Sequence, residues 1–200
     1  MSIGKNSLSG RIGITGTIGS GKSSVGSILC RCGFPVLDAD ACVHELYREC
    51  GELREKLSGE FGAECLDPNG VNRLFFAGLI FKDSSARQKL ESLVYPYLEQ
   101  RVLQFFGSYP KLAFLEAAVL HRTPGIVKQL DQVWLVDAPA EIRLQRLELR
   151  GLSREDAQRR METQGNLSAF WADTTLPVVR LNNGGTLEEL KTQVERLMAP

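Results

Sequence analysis

The chain has 200 residues, of which 43% are hydrophobic and 24% are charged, the proportions of a globular protein long enough to bury a substantial core. Its 24 Lys and Arg residues balance 24 Asp and Glu residues, so the overall charge favours neither nucleic acid nor an anionic membrane as a partner. A polar N-terminus without a signal-peptide pattern, the lack of a long apolar run, and five cysteines without a Cys-x-x-Cys pair lead us to expect a cytoplasmic protein with reduced thiols.

Residues 16–23 have the form Gly-x-x-x-x-Gly-Lys-Ser. They follow a predicted strand, 11–15, and precede a segment whose apolar residues recur at helical spacing. A glycine-rich turn between a strand and a helix presents backbone N–H groups and the positive end of a helix dipole to an anion. In this pattern Lys22 reaches the β- and γ-phosphates of a nucleotide, and the Ser23 hydroxyl coordinates Mg²⁺. The turn therefore predicts a nucleoside triphosphate site.

Two carboxylates follow the second predicted strand, 36–37. Asp38 and Asp40 lie at the strand end, where open parallel sheets bind ligands. A carboxylate there can orient Mg²⁺ or take a proton from an acceptor hydroxyl. Asp40 as the N-cap of the following helix is an equally common use, so the spacing leaves both interpretations open.

The segment from 42 to 107 predicts helices and no strand. Its breaks fall at Gly51, 59–62 and 67–70, and apolar spacing indicates one short helix over 74–81 and a longer one over 86–106 that bends at Tyr95-Pro96. By analogy with small P-loop kinases, a helical insertion at this point, 41–108, is expected to bind the phosphate acceptor.

The remaining strands are predicted at 112–115, 132–136 and 177–181, followed by a closing helix. The third strand ends at Glu116, which is either a carboxylate facing the phosphate loop or simply a polar strand end. Five strands alternating with helices predict an α/β three-layer P-loop kinase fold with a five-stranded, mostly parallel sheet. We predict a single domain, with 11–40, 111–137 and 177–198 as its core.

Arginines are concentrated after the fourth strand. Arg143, Arg146 and Arg150 share one helix face, and Arg154, Arg159 and Arg160 follow. Arginines on a mobile segment can neutralise the charge that builds on a transferred phosphoryl group, whereas a solvated basic helix face is the ordinary meaning of such a run. We predict an arginine-bearing lid over 143–164.

Four stretches besides the phosphate loop resemble the dephospho-CoA kinase family. They are Val-Leu-Asp-Ala-Asp at 36–40, the segment 71–81, the lid residues Gln145, Arg146, Arg150 and Gln164, and the stretches 172–173 and 182–184. The resemblance runs from about residue 11 to residue 197. It implies transfer of the γ-phosphoryl group of ATP to the 3′-hydroxyl of dephospho-CoA, giving CoA and ADP, with Mg²⁺ as cofactor.

The resemblance also implies roles for individual residues. Asp40 is expected to be the general base, and the other catalytic residues are expected to be Lys22, Arg146 and Arg150. ATP is expected to bind at Gly19, Ser20, Gly21, Lys22, Ser23, Ser24, Asn182 and Gly184. The acceptor is expected at Asp38, Asp40, His44, Arg73 and Glu116, and the metal at Ser23 with Asp38 as a second candidate. The expected partners are ATP and dephospho-CoA, without nucleic acid or membrane, in a monomer or weak homo-oligomer.

The chain departs from the family pattern at four positions. Thr17 replaces a second glycine, His44 replaces an arginine, Tyr95 replaces a histidine, and Arg122 stands where an acidic residue is usual. The last three bear on the acceptor side. The alternatives are another small-molecule or nucleoside monophosphate kinase on the same scaffold, and a nucleotide-binding regulator without transfer activity.

Overall fold

The computed structural model describes residues 9–164 and 167–199. The strands are β1 (Gly10–Gly16), β2 (Val36–Asp38), β3 (Leu66–Asp67), β4 (Gly70–Val71), β5 (Leu112–Glu116), β6 (Gln132–Asp137) and β7 (Val178–Asn182). The helices are α1 (Lys22–Arg31), α2 (Ala39–Glu49), α3 (Gly51–Phe61), α4 (Arg73–Lys82), α5 (Ser84–Ser108), α6 (Pro124–Val127), α7 (Ala140–Leu149), α8 (Arg154–Thr163), α9 (Leu167–Ala172) and α10 (Leu187–Met198). Short 3₁₀ turns span Ala63–Cys65 and Leu120–Arg122.

The chain divides into two compact units. The first combines Met1–Leu37 with Phe106–Pro200, and the second is Asp38–Phe105. The second unit begins and ends three residues before the bounds of the predicted insertion, 41–108. The acceptor-binding role of this segment stays a prediction.

The main sheet belongs to the first unit and has the strand order β2-β5-β1-β6-β7. Strand β1 pairs in parallel with β5 and β6, and β6 pairs in parallel with β7. The prediction of a five-stranded, mostly parallel sheet is confirmed. Because β1 is the middle strand, the turn that follows it leaves the sheet at the centre of its carboxyl edge, where open parallel sheets bind ligands.

Both faces of the sheet are covered. On one face Ile12 and Ile14 of β1 pack with residues of α1 and α10 in a single buried cluster. On the other face Gly13 leaves room for Leu120 and Leu130, each of which would approach a Cβ at that position to 2.7 Å. Alternate residues of a buried parallel strand contact opposite layers, so the result is the predicted three-layer α/β fold.

The second unit contains a hairpin that the sequence did not predict. Leu66 pairs with Val71 and Asp67 with Gly70 in an antiparallel ladder between β3 and β4. The turn is stabilised by the Asp67 carboxylate, which accepts the Asn69 N–H at 2.7 Å. The prediction that 42–107 has no strand is therefore wrong, because two-residue strands are too short to show the alternation by which strands are recognised.

Helix α5 is continuous from Ser84 to Ser108 and contains Pro96. Proline removes one helical N–H donor and usually ends or kinks a helix, which is why the sequence predicts a bend at Tyr95-Pro96. The prediction of one long helix through this segment is confirmed, and the bend stays a prediction. Five apolar residues of this helix recur four apart and are buried: Leu90, Val94, Leu98, Val102 and Phe106. Burial of this stripe outweighs the cost of the proline, and the helix does not end there.

All five cysteines have free thiols. Burial raises the pKa of the Cys42 and Cys65 thiols above the ordinary value, which keeps these two thiols protonated and unreactive. Within residues 9–164 and 167–199, none of the helices combines the length and apolar character that crossing a membrane requires.

Candidate active site

The phosphate loop connects β1 to α1, and its glycines are required by its geometry. Gly19 and Gly21 have φ angles of +79° and +93°, in the left-handed region that residues with a Cβ avoid. A Cβ at Gly16 would overlap the carbonyl oxygen of Val136, and one at Gly19 would lie 2.8 Å from the Arg143 carbonyl oxygen. The loop is thus packed too closely against its neighbours to accept side chains at these positions.

Thr17 occupies a position where the family usually has glycine, and the backbone explains why it is accommodated. Every described residue with a positive φ is a glycine, so Thr17 has an ordinary backbone conformation. Its carbonyl oxygen accepts the Ser20 N–H at 3.0 Å. The second glycine of the family pattern is therefore not needed for the conformation of this loop.

Lys22 lies against the phosphate loop. Its Nζ atom donates to the carbonyl oxygens of Gly16 at 3.1 Å and Thr17 at 3.4 Å. These contacts hold a positive charge at the first residues of α1, where helix N–H groups already favour an anion. The neighbouring Ser23 is exposed, as a hydroxyl that coordinates Mg²⁺ must be.

Helices α7 and α8 form an arginine-bearing hairpin that contacts the tip of the loop. Leu144, Leu147 and Ala157 make a small buried cluster on which Ile18 packs. The side-chain oxygen of Gln164, just after α8, accepts the Ile18 N–H at 2.5 Å. One loop residue is thus held by the hairpin through both its apolar side chain and its backbone.

Arg146 of the same hairpin contacts both the phosphate loop and the turn after β7. Its guanidinium donates to the carbonyl oxygens of Gly19 at 3.3 Å and Ser20 at 3.4 Å, and to the carbonyl oxygen of Asn183 at 2.9 Å. A guanidinium has five donors in a fixed planar arrangement, so one side chain can join the phosphate loop to the turn after β7. In the structure, Arg146 is a bridge within the site.

The other arginines of the hairpin have different surroundings. Arg154 contacts Glu141 at 3.2 Å and Glu148 at 3.5 Å, joining the exposed faces of α7 and α8, and these contacts raise the pKa of its guanidinium further. Arg143 donates to the Ala138 carbonyl oxygen at 3.1 Å. Arg150 ends α7 on the exposed surface. The alternative of a solvated basic face describes Arg154 but not Arg146.

Glu116 ends β5, the strand beside β1, and is half-buried. A Cβ at Gly26 would come within 2.7 Å of its Oε2 atom, so the carboxylate lies against the second turn of α1. Gly26 follows Ser23 by three residues and therefore shares its helix face. Of the two interpretations of Glu116, this position favours a carboxylate that faces the phosphate loop and the start of α1.

A cavity of about 590 Å³ opens beside the turn after β7, lined by Asp137, Pro139, Arg143, Arg180, Asn182 and Gln193 among others. Gln193 orders this turn, since its side chain accepts the Asn182 N–H at 3.0 Å and donates to the Asn182 carbonyl at 2.8 Å. The side chain of Asn182 accepts the Gly184 N–H at 2.9 Å. The volume lies in the range of small-molecule pockets in proteins.

The second unit begins with two aspartates, Asp38 at the end of β2 and Asp40 just after it. The Oδ1 atom of Asp38 accepts the N–H groups of Asp40 at 2.9 Å and Ala41 at 3.1 Å, which makes Asp38 the N-cap of α2. The alternative of Asp40 as the cap is therefore wrong. Asp40 lies in the first turn of α2 and is exposed.

The same unit has its own cavity of about 470 Å³, lined by His44, Glu45, Tyr47, Arg48, Asp67 and Arg73 among others. Burial raises the pKa of the Tyr47 hydroxyl to about 12, and the positive charge of Arg73 opposes that shift. His44 and Arg73, which the sequence placed on the acceptor side, line this one cavity. Arg48 joins them, although nothing in the sequence singled it out.

The sequence also passed over Asn183, the most buried residue of the turn after β7. Asn182 and Gly184, its neighbours, were expected to bind ATP, but Asn183 is the residue whose side chain reaches the loop, by donating to the Ser20 carbonyl at 2.7 Å. The run Asn182-Asn183 was the only available signal, and it does not tell which side chain points inward.

The fold and the phosphate loop define a P-loop kinase: a three-layer α/β protein whose Gly-x-x-x-x-Gly-Lys-Ser turn follows the central strand and contacts an arginine-bearing hairpin. The family model of dephospho-CoA kinase matches residues 11–188. The chain therefore belongs to the dephospho-CoA kinase family, whose members are ATP-dependent kinases.

Individual relatives agree with this assignment. The dephospho-CoA kinase of Geobacter sulfurreducens is 34% identical over 194 residues, which cover 94% of this chain and 96% of that protein. A solved structure from Thermus thermophilus superposes with a TM-score of 0.77 at 34% identity, covering 94% of this chain and 95% of the other. The dephospho-CoA kinase of Campylobacter jejuni shares the fold, with a TM-score of 0.65 at 22% identity and coverage of 94% of both chains.

Proposed function

We propose that this protein transfers the γ-phosphoryl group of ATP to the 3′-hydroxyl of dephospho-CoA and releases CoA and ADP, the last step of coenzyme A synthesis. The observation that carries the proposal is the match of the dephospho-CoA kinase model to residues 11–188, together with a complete phosphate loop at the centre of the sheet. For phosphoryl transfer a protein mainly has to align the two substrates and neutralise the charge on the phosphates, with one carboxylate to receive a proton.

The triphosphate binds in the phosphate loop. The backbone N–H groups of Gly19 to Ser24 face the β- and α-phosphates, and the positive end of α1 favours their charge. The Lys22 ammonium, now on the Gly16 and Thr17 carbonyls, exchanges these two acceptors for oxygens of the β- and γ-phosphates. The exchange is favourable because the phosphate groups are ionised and a carbonyl group is neutral, so the new hydrogen bonds join two charged groups.

Mg²⁺ fits the donors at the start of α1. Ser23 is exposed there, and the Glu116 carboxylate, at the end of β5, lies against the same helix one turn further on, at Gly26. In the described part of the chain no group of three or more His, Cys, Asp or Glu side chains could hold a metal, but Mg²⁺ in kinases takes one or two protein ligands and completes its shell with water and phosphate oxygens. When bound, the ion neutralises charge on the β- and γ-phosphates. Asp38 is a second candidate ligand.

The adenine ring is proposed to occupy the cavity beside Asn182 and Gly184. The support is its volume of about 590 Å³ and its position next to a turn that Gln193 holds in place. From the arginine hairpin, Arg146 fixes the loop through the carbonyls of Gly19 and Ser20. Arg150, exposed at the end of α7, neutralises charge on the transferred group.

The acceptor is proposed to bind on residues of the second unit. His44 and Arg73 line a cavity of about 470 Å³ with Arg48, and cationic side chains suit the diphosphate of dephospho-CoA. The oxygen of the acceptor's 3′-hydroxyl forms a bond to the γ-phosphorus, and the bond from that phosphorus to the bridging oxygen of ADP breaks. Asp40 receives the proton that the 3′-hydroxyl loses. Asp40 lies in the first turn of α2 and is exposed, so its carboxylate is accessible to a hydroxyl group of a substrate, which supports this role.

We further propose that the protein works in the cytoplasm as a monomer or weak homo-oligomer, without nucleic acid or membrane. The support is a formal net charge of zero from 24 basic and 24 acidic residues, which gives no electrostatic attraction to a polyanion.

The proposal is tested by measuring ADP release from Mg·ATP with dephospho-CoA as acceptor, beside an acceptor-free control. Mass spectrometry of the product identifies CoA, and parallel reactions with AMP, CMP and shikimate test the rival acceptors. We expect ADP formation only with dephospho-CoA, with CoA formed in equal amount. Release with another acceptor alone, or ATP binding without any acceptor-dependent release, would overturn the proposal. The Lys22→Ala variant serves as the control for contaminating kinases.

A further inference from the structure

Asn183 is a buried polar residue that connects three parts of the first unit. It is 5% exposed and lies between β7 and α10. Its backbone N–H donates to the Asp137 carbonyl at 2.7 Å, its side-chain NH₂ donates to the Ser20 carbonyl at 2.7 Å, and its own carbonyl accepts from Arg146 at 2.9 Å. Removing a buried amide with this many partners leaves buried polar groups unsatisfied and lowers the stability of the protein.

The contact with Ser20 fixes a peptide bond of the phosphate loop. In a trans peptide the carbonyl and the following N–H point in opposite directions, and no described peptide bond is cis. Because Asn183 and Arg146 hold the Ser20 carbonyl on their side, the Gly21 N–H points away from them. In loops of this kind that N–H belongs to the phosphate cradle.

The fit between the loop and Asn183 is tight. A Cβ on Gly21 would overlap the Asn183 Nδ2 atom and come to 3.7 Å from Arg146. The amide therefore lies directly behind the peptide that it holds. Rotation of this peptide would break the bond to Ser20 and turn the Gly21 N–H out of the cradle, so the bond selects one of the two orientations.

We propose that Asn183 is a positioning residue for phosphoryl transfer, which fixes the Ser20–Gly21 peptide of the phosphate loop in its phosphate-binding orientation before the nucleotide arrives. This inference rests on the proposed function, because ATP is the ligand whose phosphates the loop binds. Fixing a binding loop in its bound conformation improves affinity by removing the cost of ordering it. Asn183 acts through Ser20 and Gly21 and needs no contact with the nucleotide.

The inference predicts that substitutions of Asn183 weaken binding of phosphates and leave binding of the nucleoside unchanged. Asn183→Leu removes both polar groups of the side chain while keeping its branched shape and its number of non-hydrogen atoms, and Asn183→Asp removes the donor while keeping an acceptor for Arg146. Asn72→Asp is the matched control, because Asn72 caps α4 through its side-chain oxygen and aspartate caps equally well.

Calorimetry with three probes, Mg·ATP, Mg·tripolyphosphate and adenosine, separates the outcomes. We expect both Asn183 variants to bind Mg·ATP and Mg·tripolyphosphate about tenfold more weakly, the scale of one buried hydrogen bond. Adenosine affinity should stay within twofold, and Asn72→Asp should match the wild type with all three probes. In steady-state assays KM for ATP should rise while KM for dephospho-CoA stays constant.

Two results would overturn the inference. Equal losses for adenosine and tripolyphosphate would place Asn183 in contact with the base, and unchanged tripolyphosphate binding would show that the loop does not need it. If one variant fails to fold, as judged by its thermal transition, the other decides. Wild-type protein that binds ATP but transfers nothing to dephospho-CoA would refute the proposed function and leave this inference to be decided by the binding data.

Discussion

Replacing Gly21 by alanine tests the geometry of the phosphate loop. The φ angle of Gly21 is +93°, a left-handed value that costs a residue with a Cβ about 1–2 kcal/mol. The new Cβ would overlap the Asn183 amide, and displacing that amide breaks its buried hydrogen bond to the Ser20 carbonyl. Leaving the buried amide without this acceptor costs about 1–3 kcal/mol. The two effects together should lower the free energy of unfolding by about 2–5 kcal/mol.

Gly33 provides a matched control for this experiment. Its φ angle is +84°, but a Cβ placed on it would have nothing within 4 Å. Gly33→Ala therefore carries the conformational cost alone, about 1–2 kcal/mol. The difference between the two variants, about 1–3 kcal/mol, measures the contact between the loop and Asn183.

Urea unfolding followed by tryptophan fluorescence measures both variants, because the protein's two tryptophans, Trp134 and Trp171, are buried residues of the first unit,. Calorimetry should show that Gly21→Ala weakens Mg·ATP binding at least about tenfold, whereas Gly33→Ala leaves it unchanged. Equal losses of stability in the two variants, with unchanged ATP binding in both, would refute the packing of Asn183 against the loop.

Three further substitutions test the remaining roles. Asp40→Asn should keep ATP affinity within a few-fold and lower kcat by about 100-fold or more, the scale of a lost general base; a kcat near that of the wild type would remove Asp40 from that role. Lys22→Ala should weaken both ATP binding and turnover in the same ADP-release assay, and unchanged kinetics would contradict the assignment of the phosphate loop. Gln164→Leu, which leaves the Ile18 N–H without its acceptor, should cost about 1–2 kcal/mol of stability in urea. Gln164→Glu, which keeps an oxygen acceptor, and Gln158→Leu on the exposed side of α8 should cost less; equal losses would show that the contact with Ile18 does not matter.

The loop and the strands were predictable because their signals lie in consecutive residues. The glycine spacing of 16–23 encodes a turn that only glycines can form, and the apolar runs at 112–115 and 132–136 fall inside β5 and β6. Each of these patterns depends on backbone sterics and on local burial. The sheet and the phosphate loop could therefore be recognised before any tertiary structure was known.

Local patterns failed where the local signal was weak. The β3–β4 hairpin has two residues in each strand, too few for any periodic signal. At Pro96, by contrast, the apolar spacing was sufficient. It predicted one helix over 86–106, and α5 continues through the proline although proline disfavours a helix interior. The cap of α2 is Asp38, two residues before the alternative, Asp40. Sequence patterns do not fix the first residue of a helix that closely.

The amino-acid sequence by itself predicted a nucleoside triphosphate site in a parallel α/β fold and showed which family this protein resembles. Only the tertiary structure decided which side chains hold the phosphate loop. Asn183 and Ser20 are 163 residues apart, and Arg146 and Gly19 are 127 apart. Hydrogen bonds over such separations depend on the strand order β5-β1-β6-β7, which brings the turn after β7 and the helix after β6 to the loop after β1. That order follows from how the layers pack around one core and leaves no trace in any short stretch of sequence.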